Sequence, residues 1–262
     1  MASAEPIYRV QDLVRVFSHG PQPVIAVDHV SFEIPAGQRL GIVGESGSGK
    51  STLIRMMAGL RRPSSGDIVF AGQSIVGRRE SELSWLRRGV QLVFQDPRSS
   101  LDPRMKVADI IAEPLRSRIW QGTKRPDPFS RVNELMAQVG LDPGDRNRYP
   151  HQFSGGQRQR IAIARALAPN PRVLIADEAV SALDVSVRAQ VLNLFADLVA
   201  DHGLTLVFVS HDLSVVRHVC DAVLVMQAGH IVEAGPVAQV YSDPREPYTR
   251  QLLASVPRLR RD

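Results

Sequence analysis

The sequence has little cysteine: Cys220 is the only one in 262 residues. A single cysteine excludes an internal disulfide and any metal or iron–sulfur site built from cysteine alone. Long apolar runs are also missing, since none approaches the roughly 18 residues that a membrane-spanning helix needs. The opening residues MASAEPIYRV lack the charged and then apolar layout of a signal peptide. We therefore expect a soluble protein that stays in a reducing, cytosolic setting.

The charge of the chain is not concentrated in one tract. The net charge is +5, and the arginines come in pairs that are scattered along the sequence. A basic balance can serve nucleic acid, an anionic membrane surface or solubility, and scattered pairs favour solubility. The chain shows no repeat of fixed period, and its 44% hydrophobic content suits one large core, with or without an inserted subdomain.

The segment GIVGESGSGKSTL, residues 41–53, joins a short apolar run to a turn rich in glycine and serine and to one lysine. It fits the pattern Gly-x-x-x-x-Gly-Lys-Ser of a phosphate-binding loop. Leu40–Val43 predicts a buried strand, and apolar residues at helical spacing predict a helix over Ser51–Leu60. The glycines therefore lie between a strand and a helix, where backbone N–H groups and the helix N-terminus attract an anion.

Lys50 adds a full positive charge to this loop, worth about 4 kcal/mol to an anion about 4 Å away at an effective dielectric constant of about 20. The Ser51 hydroxyl can bind Mg²⁺. A flexible turn is the alternative, and the flanking strand and helix oppose it. We expect a nucleoside triphosphate to be bound here by Gly44, Glu45, Ser46, Gly47, Ser48, Gly49, Lys50, Ser51 and Thr52.

The order of the remaining patterns indicates an α/β fold. Val27–Ile34 alternates like a half-exposed strand, and Gly66–Gly72 and Val90–Phe94 predict two more strands. From Asp96 onward helical spacing occurs without strands, which predicts an inserted helical subdomain at about residues 96–168. From Val173 strands and helices alternate, with a helix predicted over Val187–Val199, and Gln227–Gly235 predicts a terminal hairpin. This alternation is typical of a parallel sheet with helices on both faces. We expect one domain over residues 1–240 and a short C-terminal extension over 241–262.

Two acidic residues, Asp177 and Glu178, follow the apolar run VLIA at the end of a predicted strand. Ligands of open α/β sheets bind at the edge formed by the carboxyl ends of the strands. The two side chains point to opposite sides, so Asp177 would hold Mg²⁺ and Glu178 would orient or deprotonate an attacking water. An acidic pair that merely starts a helix is the alternative, and the position behind VLIA favours the catalytic interpretation.

The segment FSGGQRQRIAIARAL contains a second helix start suited to an anion. Ser154 can cap a helix whose first glycines expose N–H groups, and apolar residues follow at helical spacing. One triphosphate rarely needs two such sites from one small chain. We therefore expect this one to face a nucleotide held by a different subunit, with an ordinary capped helix as the alternative. Its residues are Ser154, Gly155, Gly156 and Gln157.

The chain resembles ABC-transporter ATPase subunits in the order of its motifs, which are the phosphate-binding loop, VFQDP, FSGGQ, VLIADE, SALD and VSHD. This resemblance covers nearly the whole chain. It implies a RecA-like P-loop NTPase fold with a mostly parallel sheet, an antiparallel β layer and an inserted α-helical subdomain. It also implies that two subunits sandwich two ATP molecules head to tail.

The resemblance also implies roles for single residues. Gln95 resembles the Q-loop glutamine near Mg²⁺ and the transmembrane partner, Asp184 resembles the D-loop aspartate across the dimer, and His211 resembles the switch histidine at the γ-phosphate. Gln95 and His211 could instead be polar residues that simply end strands. Phe17 matches the aromatic residue that stacks on adenine, but Tyr8 or plain core packing remains open.

A narrower resemblance is visible in VFQDPRSSLDPRM, DEAVSALDVSVRAQVL and SDPREPYTRQLLASVP, which are similar to ATPases of the dipeptide, oligopeptide and nickel importer class. Phe153, Ala179 and Glu246 replace the commoner leucine, proline and histidine, and none of these changes removes a catalytic group. The chain has no cysteine cluster of the kind that longer members of the class carry, so an iron–sulfur cluster is not expected.

This resemblance implies an importer ATPase that uses ATP and Mg²⁺. Its partners would be two transmembrane permease subunits, a second ATPase subunit that is related but non-identical, and an extracytoplasmic solute-binding protein reached through the permeases. It would lie peripherally on the cytoplasmic face of the inner membrane and would not bind nucleic acid. The sequence leaves open the solute, the role of the C-terminal extension and the choice between homodimer and heterodimer.

Other ABC systems are the alternatives. An exporter ATPase shares every core motif, and the basic charge could favour an ATPase that acts on DNA or ribosomes. DNA-repair relatives insert long coiled coils before the signature segment, whereas no heptads separate Lys50 from Ser154. Translation-type relatives carry two cassettes, and this chain has one.

Overall fold

The computed structural model describes residues 5–18 and 22–254 of the chain, and every structural statement below concerns those residues. They divide into two compact units. The first unit takes the chain up to Arg78 and again from Thr205 onward, and the second takes Arg79–Leu204. The predicted domain boundaries at residues 240 and 241 stay a prediction.

In chain order the strands are β1 (Tyr8–Phe17), β2 (Val24–Ile34), β3 (Arg39–Val43), β4 (Ser65–Phe70), β5 (Gln73–Ser74), β6 (Val90–Val93), β7 (Val173–Asp177), β8 (Thr205–Ser210), β9 (Ala222–Gln227) and β10 (His230–Pro236). The α-helices are α1 (Lys50–Met57), α2 (Ser84–Gly89), α3 (Pro97–Ser100), α4 (Val107–Arg116), α5 (Pro128–Gln138), α6 (Gly155–Leu167), α7 (Val185–His202), α8 (Leu213–Val219), α9 (Val237–Ser242) and α10 (Pro247–Ala254). Short 3-10 helices occupy Glu80–Leu83, Arg118–Trp120, Pro143–Asn147 and Pro150–Gln152.

The first unit contains an antiparallel sheet in the order β2-β1-β4-β5. The predicted strand at Val27–Ile34 is confirmed, and β2 begins three residues earlier, at Val24. Its alternation breaks at His29, which has a φ of 49°, and opposite it on β1 the register also shifts near Asp12, which has a φ of 47°. Strand β1, which we did not predict, is therefore irregular along its length.

A second set of strands in the first unit lies in the order β10-β9-β3-β8. Strand β3 runs parallel to both β8 and β9, and β10 pairs antiparallel with β9. Leu40, Ile42 and Val43 are almost completely buried, as expected for the central strand of a parallel sheet. The predicted strand and the predicted β9–β10 hairpin are confirmed.

Helix α1 starts and ends earlier than the apolar spacing predicts. It begins at Lys50 and ends at Met57, whereas the prediction extended it to Leu60. Gly59 has a φ of 68°, and the Leu60 N–H donates back to the Arg55 carbonyl at 2.8 Å. These are the features of a Schellman motif, which ends a helix at a left-handed glycine. The Leu60 side chain is accordingly exposed.

The second unit combines two parallel strands with a helical cluster. Strands β6 and β7 pair with Val93 opposite Ala176. Helices α3 to α6 follow β6 with no strand between them, as the sequence predicted. Helix α4 buries Ile110, Ile111 and Leu115, and it packs against α5 and α6.

Helix α7 also differs from the prediction in length, and two helices near the C-terminus were not predicted. Helix α7 spans Val185–His202, longer at both ends than the predicted Val187–Val199. Helices α9 and α10 lie in the C-terminal part of the chain, for which we made no prediction of secondary structure. Within the described residues, no helix combines the length and the apolar character that crossing a bilayer requires.

Candidate functional site

The predicted phosphate-binding loop, residues 44–49, connects β3 to α1 in the first unit. Lys50 is the first residue of α1, and its side chain is buried over the loop. Its Nζ donates to the carbonyl oxygens of Gly44 and Glu45, both at 2.7 Å. The ammonium is therefore held at the helix N-terminus, where its charge adds to the backbone N–H groups that favour an anion.

Two loop glycines are required for a reason that the sequence did not show. A Cβ on Gly44 would lie 2.1 Å from the Met226 carbonyl oxygen, and a Cβ on Gly49 would lie 2.2 Å from the Ala26 carbonyl oxygen. In the sequence, the anion-binding turn alone explains these glycines. The structure shows that close approach by the chain's own backbone already demands them, since neither distance leaves room for a side chain.

His211 directly follows β8 in the same unit as the loop. Because Val43 pairs with Ser210 in parallel register, the loop and His211 leave the same edge of adjacent strands. Asp212 caps α8 by accepting a hydrogen bond from the Ser214 N–H at 2.8 Å. This cap fixes the turn that carries His211. The contact of His211 with a γ-phosphate stays a prediction.

Phe17 and Tyr8 occupy different environments. Tyr8 has no exposed surface, its ring packs 5.0 Å from that of Phe70, and its hydroxyl donates to the Met57 carbonyl at 2.9 Å. A residue with no accessible face cannot stack on a base, so Tyr8 is a core residue. Phe17 is partly exposed, and the guanidinium groups of Arg15 and Arg61 lie 4.8 and 4.7 Å from its ring centroid. Adenine stacking on Phe17 stays a prediction.

In the second unit, Gln95 and Asp177 lie at the carboxyl ends of two neighbouring parallel strands. Asp177 is the last residue of β7 and is buried, and Gln95 is an exposed residue that follows β6. The register of the strands brings both to one edge, which the sequence alone could not establish. Both side chains present oxygen atoms, the ligands that Mg²⁺ prefers.

Glu178 has an unusual backbone conformation, with a φ of 48°. A left-handed conformation is costly for a residue with a side chain and is found more often at functional sites. Ser181 holds the Glu178 carbonyl oxygen with its N–H at 3.1 Å and its hydroxyl at 3.0 Å. The SALD segment therefore fixes the turn that carries Glu178, a link that the sequence did not reveal.

Asp184, the last residue of SALD, caps α7. Its carboxylate accepts hydrogen bonds from the Val187 N–H and the Ser186 hydroxyl, both at 2.9 Å. These hydrogen bonds hold the pKa of Asp184 below its ordinary value. The side chain is exposed, so its predicted contact with a second subunit stays a prediction.

The signature segment forms the predicted capped helix. Ser154 is the N-cap of α6: its hydroxyl accepts from the Gln157 N–H at 3.3 Å, and the Gln157 side chain accepts from the Ser154 N–H at 2.9 Å. This reciprocal capping box fixes the N-terminus of α6. Ser154, Gly155 and Gln157 are exposed. The N-terminus of the helix can therefore be reached by an anion from outside the chain.

Replacing Gly156 by alanine is expected to destabilise the protein, because the new Cβ would lie 2.3 Å from Cγ1 of Val187. Such overpacking costs about 1–3 kcal/mol. Gly155 is the matched control, since a Cβ there meets no atom within 4 Å. Chemical denaturation should give a lower unfolding free energy for Gly156→Ala and an unchanged one for Gly155→Ala. Equal values for the two variants would contradict the packing argument.

Comparison with known proteins points in one direction. The sequence model of the family described as ABC transporter matches residues 27–181. A peptide import ATP-binding protein of Brucella abortus (strain 2308) is 52% identical over 265 residues, which cover 98% of this chain and 78% of that protein. The di/tripeptide transport ATP-binding protein DppF of Pseudomonas aeruginosa (strain UCBPP-PA14) is 48% identical, with 99% and 80% covered.

A solved structure is similar as well. The ATP-binding cassette MJ0796, a dimer in a post-hydrolysis state with ADP and Pi, is 28% identical and aligns with a TM-score of 0.78. The alignment covers 88% of this chain and 98% of that one. The predicted P-loop NTPase fold of the ABC cassette type is confirmed.

Proposed function

The chain belongs to the ABC transporter family, and on that premise we propose that it is the ATP-hydrolysing subunit of an importer for peptides or a related small solute. One observation carries the proposal: the likeness to peptide import ATP-binding proteins extends over nearly the whole chain. The chain binds and hydrolyses ATP, as ABC cassettes do.

The chemistry of the loop between β3 and α1 supports ATP as the ligand. A buried ammonium, the N-terminus of α1 and a glycine-rich turn converge on one place. Each of these groups favours a polyanion, and together they suit the β- and γ-phosphates. We assign nucleotide binding to residues 44–52, with Phe17 proposed to stack on adenine.

The residues proposed to hold Mg²⁺ are Ser51, Gln95 and Asp177. A hydroxyl, an amide oxygen and a carboxylate are the hard oxygen ligands that this ion takes, together with phosphate oxygens. When bound, Mg²⁺ would neutralise charge that develops on the phosphates. Glu178 is proposed to orient or deprotonate the attacking water, and His211 to contact the γ-phosphate.

The exposed N-terminus of α6 is proposed to bind a nucleotide held by a second ATPase subunit. Ser154, Gly155, Gly156 and Gln157 would then contact the γ-phosphate from across a dimer, with Asp184 beside them. Because ATP has a γ-phosphate and ADP does not, only ATP would be bound by both subunits of the dimer. A ligand shifts a conformational equilibrium only through such differential affinity, so ATP would close the dimer and hydrolysis would reopen it.

The proposed partners follow from an importer of this type. They are two permease subunits in the membrane, a second and non-identical ATPase subunit, and a solute-binding protein on the outer side. The chain would associate with the membrane peripherally, on the cytoplasmic face of the inner membrane. The permeases and the binding protein would select the solute.

Coexpression of the chain with its candidate permeases tests the proposal. We expect the chain to copurify with polytopic membrane proteins, and we expect ATP hydrolysis in proteoliposomes to rise when binding protein loaded with di- or oligopeptides is added. A Glu178→Gln complex is the control for contaminating ATPases. Copurification with nucleic acid instead, or solute transport out of the cytoplasm, would contradict the importer assignment.

A further inference from the structure

The C-terminal segment of residues 237–254, which holds α9 and α10, is anchored to β10 in the first unit. The carboxylate of Glu233 accepts hydrogen bonds from the N–H groups of Arg245 and Glu246 at 2.9 and 3.2 Å. Burial alone would raise the pKa of Glu233, but the hydrogen bond from the Arg245 N–H and its neighbours lowers it below the ordinary value. The carboxylate is therefore charged at neutral pH and fixes the chain just before α10.

This anchor brings Tyr248, the second residue of α10, to the phosphate-binding loop. Tyr248 is 9% exposed, and its hydroxyl accepts a hydrogen bond from the Glu45 N–H at 3.0 Å. The carbonyl oxygen of the same Glu45 accepts from Lys50 Nζ at 2.7 Å. One loop residue thus connects the tyrosine hydroxyl to the buried ammonium.

A second tyrosine of the segment contacts the helix that follows His211. The Tyr241 hydroxyl donates to the carbonyl of Leu213, two residues after His211. Burial raises the pKa of Tyr241 above its ordinary value, so the hydroxyl keeps the proton that it donates. Both tyrosine contacts fall on elements that leave the same edge of β3 and β8.

We propose that Tyr248 is a positioning residue of the nucleotide site, which fixes Glu45 and through it places Lys50 for the phosphates. The proposal rests on the loop binding ATP. A loop of glycine and serine loses much conformational freedom when it closes on a ligand. If a hydrogen bond orders it beforehand, less of the binding free energy is spent on ordering, and affinity rises.

The hydrogen bonds to Glu233 also explain how Glu246 can replace the commoner histidine. Only the backbone N–H of Glu246 reaches Glu233, and its side chain is exposed. The identity of that side chain therefore does not affect the anchor, whereas Tyr248 contributes its own hydroxyl.

Replacing Tyr248 by phenylalanine tests the proposal, because it removes only the hydroxyl. We expect the dissociation constant of the full chain for ATP, measured by calorimetry, to rise about three- to tenfold. In the assembled transporter the KM for ATP should rise while kcat changes much less. Tyr8→Phe is the matched control: it also removes a buried tyrosine hydrogen bond of the first unit, at the far end of α1, and should lower stability without changing ATP affinity.

A double-mutant cycle separates positioning from general destabilisation. Glu233→Gln should weaken ATP binding in the otherwise unchanged chain and have no further effect in Tyr248→Phe, because both act through the same contact. Unchanged ATP affinity in Tyr248→Phe, or an equal loss in Tyr8→Phe, would overturn the positioning role. Failure of the unmodified chain to bind ATP would instead overturn the proposed function.

Discussion

Replacing Glu178 by glutamine is expected to abolish ATP turnover while ATP binding is retained. The substitution keeps the shape of the side chain and removes the carboxylate that would orient or deprotonate water. General-base assistance contributes about 10²- to 10⁴-fold, so kcat in the assembled transporter should fall by about that factor. The strained backbone at this position, with a φ of 48°, stays the same in the variant. Folding should therefore be unaffected.

Single-turnover assays and equilibrium ATP binding on the same preparation would check this expectation. The matched control is Glu134→Gln, since Glu134 lies on α5 and its carboxylate pairs with Arg131 at 2.6 Å. Glu134→Gln should hydrolyse ATP at the unchanged rate. Normal turnover in Glu178→Gln would assign the general base to another group. Loss of ATP binding would show that Glu178 contributes to binding ATP rather than to the hydrolysis step.

Much of the nucleotide loop could be predicted from local sequence. The strand β3, the glycine turn and the start of α1 depend on residues that are close together in the chain, so spacing alone predicts them. The cap at Ser154 was predicted for the same reason: its partner Gln157 lies three residues away. Local chemistry defines these elements regardless of how the rest of the chain folds.

Features that depend on distant parts of the chain could not be predicted. Gly49 faces the carbonyl of Ala26, and Glu45 is held by Tyr248, which is 203 residues away in sequence. No periodic pattern encodes such contacts, because they arise only when strands and helices pack. Helices α9 and α10, of six and eight residues, were not predicted, whereas α1, which is equally short, is marked by the phosphate-binding pattern at its start. Helices this short are stabilised by packing more than by their own sequence.

Helix ends form an intermediate case. Gly59 stands where a C-terminal glycine cap belongs, so the sequence contained the signal that ends α1. The apolar residue Leu60 outweighed it in the prediction, although Leu60 follows the left-handed turn and is 52% exposed. An apolar residue just beyond a glycine is thus a poor indicator of helix continuation. The same caution applies wherever helical spacing crosses a glycine.

Replacing Lys50 by alanine is expected to weaken ATP binding itself, in contrast to the change at Glu178. The ammonium is almost completely buried and lies at the N-terminus of α1. A charge contact of about 4 kcal/mol at an effective dielectric constant of about 20 sets the upper bound. We expect the dissociation constant for ATP to rise by about 10²- to 10³-fold, since every 1.4 kcal/mol changes it about tenfold.

Calorimetric titration of ATP and ADP into the full chain would measure the effect. Lys124→Ala is the matched control, because it removes the same charge from an exposed side chain in the second unit. It should leave both affinities unchanged. The Gly44 and Glu45 carbonyls that accept from Lys50 would turn to water in the variant, so the loop should also lose order. If Lys50→Ala and Lys124→Ala bound ATP equally well, nonspecific attraction by the basic chain would explain binding better than the loop does.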